Sequence, residues 1–394
     1  MSLYRPYGAA ALLLALAMGC GAQQGAGRPA GTAPGAAGGD PASATGTAAH
    51  RHSGHRASAG FTLVASGDVI ASYPSVLETA RQDAGGDGHA YGPVLAGVKS
   101  VIAGADLAIC HLETPFGPEG GPFTGYPAFK APPQVADGLK ETGYDSCSTA
   151  SNHTLDDGAE GVRRTLDTLD RAGIKHVGSA RDAAEAARPA LLKAPGGARV
   201  AQLSYTYGTN GVPLPQGKPW SVNLIDAEKI VADARAARRA GADVVVVSPH
   251  WGTEYQTEPD EQQLEVAKAL TGARTGGRPD IDLVVGTHAH TPQPYEKLGG
   301  TWVVYGMGDQ IAGIMESPRG NWGTIARFRF EPPAAEGQRW RVAKAEYVPQ
   351  LSAHGPPLRM VNLAAAEGFP GVREGIREAV LSRGAAAAGL TMGR

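Results

Sequence analysis

Cysteine is scarce in this chain, with three in 394 residues. A fold stapled by several disulfides is therefore excluded. A basic excess is missing as well. Lysine and arginine number 36 against 38 aspartates and glutamates, for a net charge of −2, and no basic stripe runs along any segment. That excludes a nucleic-acid-binding surface. Long apolar stretches are lacking: the longest, at 9–18, is too short for a comfortable membrane span. No internal repeat is visible. What remains is length enough for one large or two ordinary domains, with 42% hydrophobic residues to fill a core.

The apolar run at 9–18 follows Arg5 and leads into small residues and Cys20. That order is a secretory signal. Leu16-Ala17-Met18-Gly19-Cys20 resembles a bacterial lipobox, in which Cys20 is lipidated and becomes the mature N-terminus. Ala17 stands where a lipobox usually has Leu, and ordinary cleavage after Ala15-Leu16-Ala17, giving a secreted protein, is the alternative. Residues 21–58 are almost all Gly, Ala, Ser, Thr and Pro, a flexible tether with too little apolar surface to offset ordering. The tether ends in the His-rich tract 50–56, which reads as a solvated linker end.

From Phe61 the chain alternates strand and helix. Helical periods run through 94–103, 134–142, 159–172, 227–240 and 261–270. Hairpins are expected around Gly196-Gly197 and Gly299-Gly300, with more strands at 324–331 and 340–348. Two sheets packed together with helices outside follow from that order. The domain is expected over 59–350, with 351–394 as a C-terminal extension, helical and then frayed. Cys110 and Cys147 fall in strands expected to be neighbours. Buried free thiols are the commoner state for lone strand cysteines, and a disulfide is the alternative in an exported protein.

Five apolar runs each end in a metal-capable residue. The run at 61–66 ends in Gly67-Asp68, that at 106–110 in His111-Leu112-Glu113, and that at 144–150 in Ser151-Asn152-His153. Val244-Val245-Val246-Val247 leads to His250, and Leu283-Val284-Val285 leads to His288-Ala289-His290. Ligands bind beyond the carboxyl ends of strands in open α/β sheets, so these groups share one edge. That is the makeup of a metal-centred hydrolase site. Asn152 is a neutral oxygen ligand, and His153 beside it points elsewhere, toward substrate, as acid or transition-state stabiliser. Asp156 and Asp157 are free to cap the helix that follows.

These segments resemble the CapA-type capsule (poly-gamma-glutamate) synthesis proteins of the calcineurin-like metallophosphoesterase superfamily. The resemblance covers 61–348. It rests on Gly67-Asp68, Leu112-Glu113-Thr114-Pro115, Phe129-Lys130-Ala131-Pro132-Pro133 and Ser151-Asn152-His153. It continues through His250-Trp251-Gly252, Gly286-Thr287-His288-Ala289-His290 and Tyr305-Gly306-Met307-Gly308-Asp309, the last similar to a Tyr-x-x-Gly-Asn element. It implies a four-layer α/β/β/α sandwich and one or two divalent metal ions held by Asp68, Glu113, Asn152, His250, His288 and His290, with His153 over the substrate. One metal is expected on Glu113, Asn152, His250 and His288, a weaker one on Asp68, Glu113 and His290. Ile70 stands where typical metallophosphoesterases have a histidine. His111, where the family usually has Asn, offers either a further ligand or a hydrogen bond that orients one. Trp251, Glu254 and Tyr255 line the same edge, as cleft or as wall packing.

The mixed nitrogen and oxygen ligands suit Mn, Fe, Zn or Co. The resemblance implies a cell-envelope protein that makes or processes an anionic capsule-type polymer as a metallohydrolase of phosphoester or amide bonds. It implies membrane-embedded capsule synthesis subunits as partners. The alternative is a non-catalytic assembly factor that binds the polymer at the membrane surface.

Overall fold

The computed structural model describes residues 59–335 and 337–394. The signal, the lipobox with Cys20 and the tether lie outside the described residues. Among the described residues, no helix is long and apolar enough to cross a membrane.

Four parallel strands open the fold: β1 (Phe61–Val69), β2 (Leu107–Leu112), β3 (Ser146–Ser148) and β4 (Lys175–Val177). Next come β5 (Ala190–Lys193), β6 (Arg199–Thr206), β7 (Val244–His250), a small ribbon of β8 (Arg274–Thr275) and β9 (Arg278–Pro279), β10 (Leu283–Val285), β11 (Tyr295–Leu298) and β12 (Thr301–Val304). The chain then returns through β13 (Asp309–Ile311), β14 (Trp322–Glu331), β15 (Arg341–Ala353), β16 (Arg359–Asn362) and β17 (Leu390–Met392). One sheet of nine strands is ordered β16-β15-β14-β1-β2-β3-β4, with β13 also on β1 and β17 on β15. The other, of six, is ordered β11-β12-β10-β7-β6-β5.

The layers follow from which side chains each strand buries. Leu63, Ala65, Leu107 and Ile109 of the large sheet meet Val244, Val246, Leu283 and Val304 of the small one. Val64, Ala108 and Cys110 face the other way, onto Val135 and Leu139 of the helix Val135–Thr142 and Leu166 and Leu169 of the helix Gly158–Ala172. Behind the small sheet, Val245, Val247 and Val284 pack on Ile230 and Ala234 of the helix Ala227–Arg239 and on Ala267 and Leu270 of the helix Glu261–Gly272. The four consecutive valines of β7 are thus explained: that strand is buried on both faces. The order is helix, sheet, sheet, helix, as expected. The helices start on chemical stops as well, with Asp226 accepting from the amides of Glu228 and Lys229, and Asp260 and Gln263 forming a reciprocal cap.

Three expectations change. The single helix at 94–103 is broken into Gly92–Leu95, a 3-10 turn at Ala96–Val98 and Lys99–Ala103. Gly97 lies against the Met360 carbonyl of β16, where a Cβ would overlap it, so the backbone is set by that approach. The tail does not fray. After the helix Pro370–Leu381 it ends in β17, which pairs parallel with β15 and buries Leu390. Cys110 and Cys147 are not free thiols but a disulfide. They are direct partners across β2 and β3, with Cα atoms 4.5 Å apart, inside the range a disulfide spans.

Closing a 37-residue separation in this way removes unfolded-chain entropy equivalent to about 3–4 kcal/mol. Alkylation of the unfolded chain without reductant should leave Cys110 and Cys147 unmodified, and reduction should expose both. Labelling of either before reduction, read by peptide mass spectrometry, would return the pair to free thiols.

Candidate metal centre

The parallel strands of both sheets end at one place. Asp68 closes β1, His111 lies in β2 with Glu113 just beyond it, Asn152 and His153 follow β3, His250 closes β7, and His288 and His290 follow β10. All eight are buried. The backbone is shaped to allow it. Gly67 lies so close to the Gly308 carbonyl that a Cβ would overlap it, and Gly308 itself has φ +68. His288 and His290 also take left-handed backbone, with φ of 91 and 53. Such strain in non-glycine residues concentrates at functional sites.

The side chains converge. His290 lies 3.7 Å from Asp68 and 3.8 Å from Glu113, nitrogen to oxygen. Asp68 Oδ1 is also 3.7 Å from His111 Nε2 and 3.7 Å from His250 Nδ1. The Asp68–Glu113–His290 group expected for one metal is therefore assembled. The other expected set is brought together in part. His250 Nε2 contacts Asn152 Oδ1 at 2.8 Å, and the His250 and His288 rings stand 4.7 Å apart. Asn152 is oriented through its amide, which donates to Asn210 Oδ1 at 3.3 Å. Thr287 hydrogen-bonds His250 Nδ1 at 3.0 Å.

His111 is placed between strand and site. Its Nδ1 meets Ser148 Oγ at 2.8 Å, while Nε2 faces Asp68 with no hydrogen-bond partner. Ile70, in the place of the missing histidine, is packed in a small apolar cluster instead. An imidazole thus reaches Asp68 from the neighbouring strand. Glu254 gathers with His288 and His290 as a third candidate group. Trp251 is wall packing, fully buried and donating to the Tyr305 carbonyl.

Two acids were not expected here. Asp309 pairs in register with Asp68 across β13 and β1, and its Oδ1 meets His290 Nδ1 at 2.9 Å. The element Tyr305-Gly306-Met307-Gly308-Asp309 was the signal, without a ligand role attached to its acid. Asp156 was expected as a helix cap. It instead holds His153 Nδ1 at 2.7 Å and accepts from the Phe129 amide. Asp157 takes the cap position without a capping bond and pairs with Arg164.

Burial dominates the electrostatics. It pushes the Asp68 carboxyl up to about 8, with His290 pulling the other way. Glu113 is raised well above the usual carboxylate range for the same reasons. Burial would lower His290, yet Asp309, Glu113 and Asp68 together hold it well above an ordinary imidazole. His250 and His288 are pushed well down by burial and by neighbouring imidazoles, and a neutral imidazole is the form that binds metal.

The donor set fits a divalent cation. Asp68 Oδ1, both Glu113 oxygens, His111 Nε2, His288 Nδ1 and Asp309 Oδ2 are buried without hydrogen-bond partners. Each such group costs roughly 1–3 kcal/mol, more if charged. Together they approach the net stability of an ordinary domain, and a divalent cation among them would satisfy them.

A model of the family described as "Bacterial capsule synthesis protein PGA_cap" matches residues 62–313. The chain belongs to that family. Its PGA_cap span holds every candidate ligand from Asp68 to Asp309. The chain is 28% identical over 174 residues to the PGA biosynthesis protein CapA of Bacillus subtilis, 44% of each chain. It is 28% identical over 176 residues to the capsule biosynthesis protein CapA of Bacillus anthracis, 44% of this chain and 41% of that one. The match spans less than half the length of these PGA_cap relatives. Among solved structures, a 5'-nucleotidase precursor from Thermus thermophilus aligns with a TM-score of 0.45 at 18% identity, over 81% of this chain and 58% of that one.

Two outcomes are expected of this centre. Asp309→Ala should weaken metal affinity about 10- to 100-fold, as removal of a histidine's orienting partner does. Titration calorimetry reads it, and unchanged affinity would reduce Asp309 to packing. Ligand binding also requires ionised carboxylates. Because the folded Asp68 pKa lies above its ordinary value, the metal-free fold loses stability as pH rises from the usual carboxylate range toward about 8. Metal reverses that loss. The rise in Tm on adding Mn²⁺ should be larger at about pH 8.5 than at about pH 6; equal rises in thermal scans would contradict it.

Proposed function

We propose that this PGA_cap protein is an exported, metal-dependent hydrolase that cleaves a phosphoester or amide bond in making or processing a capsule-type polymer at the cell envelope. The unpartnered buried atoms of Asp68, His111, Glu113, His288 and Asp309 carry the reading. Asp68, Glu113, Asn152, His250, His288 and His290 would hold one or two ions of Mn, Fe, Zn or Co, with His111 beside Asp68. A divalent cation there supplies Lewis-acid stabilisation of charge developing on the reacting group.

The chain's own groups do the rest. His153 lines the cleft above Glu113 and His290. With Nδ1 donating to Asp156, its ring is fixed in direction, and as the imidazolium it would give its Nε2 proton to the leaving group. The Phe129 ring stands edge-on to His153 with centroids 4.7 Å apart and limits water on that side. The N-terminal signal and Cys20, lipidated, would hold the domain on its tether at the membrane surface beside capsule synthesis subunits.

Elemental analysis of the full chain, paired with hydrolysis of a phosphodiester and of poly-gamma-glutamate, tests the reading. Asn152→Ala and His250→Ala should lose metal. His153→Ala should keep it and lose turnover by about 10²–10⁴-fold. Metal loss in His153→Ala would make that residue a ligand. A metal-replete chain that binds polymer without cleaving it would leave the assembly role instead.

A further inference from the structure

A cavity of about 190 Å³ opens onto Glu113, His153 and His290. Aromatic and apolar side chains share its wall with polar groups: Tyr73, Tyr126, Phe129, Tyr255, Ile314 and Met315. Ile70, Phe129, Ala312 and Met315 form a small core beneath it, against which Tyr73 and Tyr255 pack. Tyr73 meets Phe129 edge-on at 5.4 Å, and Tyr126 does so at 6.3 Å. Tyr126 and Ile314, each 75% exposed, are the most exposed large hydrophobic residues among those described. Both stand at this one opening. Paired exposure beside a polar centre marks a contact surface rather than scatter. The charged groups lining the same wall, apart from Glu113 and the two histidines, are Glu254 and Glu316, both exposed. Among the described residues, no lysine or arginine lines it.

We propose that this cleft takes a substrate whose group beside the reacting bond is uncharged and apolar-faced, and discriminates against one carrying a carboxylate there. The proposal rests on the metal-hydrolase reading and narrows its substrate. The cation attracts the anionic head of any phosphoester, so the head does not distinguish substrates. The flank does. An apolar flank covers Tyr126 and Ile314, while an anionic flank meets Glu316 and Glu254 with no cationic side chain to answer it. A γ-linked glutamate chain presents a carboxylate on every unit and is a poor occupant unless that carboxylate is masked.

Two probes with one head and different flanks decide it: phenylphosphonate and 4-carboxyphenylphosphonate. Both are titrated calorimetrically into the full chain loaded with Mn²⁺, with metal content measured on the same samples. Phenylphosphonate should bind about tenfold tighter at low salt, the scale of two exposed like-charge contacts. The gap should shrink as salt screens it, and Glu316→Gln should narrow it. Equal affinities, a gap indifferent to salt and to Glu316→Gln, or no binding of either probe by metal-replete protein would overturn the cleft assignment alone. A chain that takes up no metal would overturn the hydrolase reading and this one with it.

Discussion

A carboxylate cannot stay ionised inside a protein without a positive partner, and this fold buries Asp68, Glu113 and Asp309 beside one another. The rest of the site is arranged around that constraint. His290 stands among all three acids, which together hold it well above an ordinary imidazole. His111 and His250 stack at 4.5 Å between ring centroids and reach Asp68 from two different sheets. The His288 amide donates to Asp68 Oδ2 at 3.0 Å, so even the backbone of β10's exit turns toward the charge. Ser148, Thr287 and Asn210 hold individual rings and amides in place.

The sandwich makes this possible because all its long parallel strands run one way. β1, β2 and β3 in one sheet and β7 and β10 in the other deliver their carboxyl ends to the same seam. Neither sheet holds the site alone. The large sheet supplies the acids and Asn152, and the small one supplies His250, His288 and His290. Cohesion of the two inner faces, with Leu63 and Ile109 on one side and Val246 and Leu283 on the other, therefore sets ligand spacing as well as stability.

Much of this is visible in the chain itself, because each buried parallel strand leaves a short run, valine-rich in β7 and β10, and its functional group comes right after. Asp68, Glu113, Asn152, His250, His288 and His290 each follow such a run. Asp309 comes four residues after the run Trp302–Tyr305, past Gly306 and Gly308, and nothing in that pattern shows that it pairs beside Asp68. Asp156 sits where a helix cap belongs, and only the fold brings the Phe129 amide and His153 to it. Glu254, four residues past β7 and expected on this edge, joins the histidines through a left-handed turn at Tyr255. The Cys110–Cys147 pairing depends on strand register, which apolar patterning does not specify for two strands buried on both faces.

That disulfide ties β2 to β3 three residues before Glu113 and five before Asn152, so the two strands that carry an acid and an amide to the candidate centre share a covalent strut. A host whose cytoplasm keeps thiols reduced would make the same polypeptide without the strut. Where the protein is produced thus becomes part of its chemistry, and two preparations of identical sequence can differ in how firmly Glu113 and Asn152 are held to one spacing.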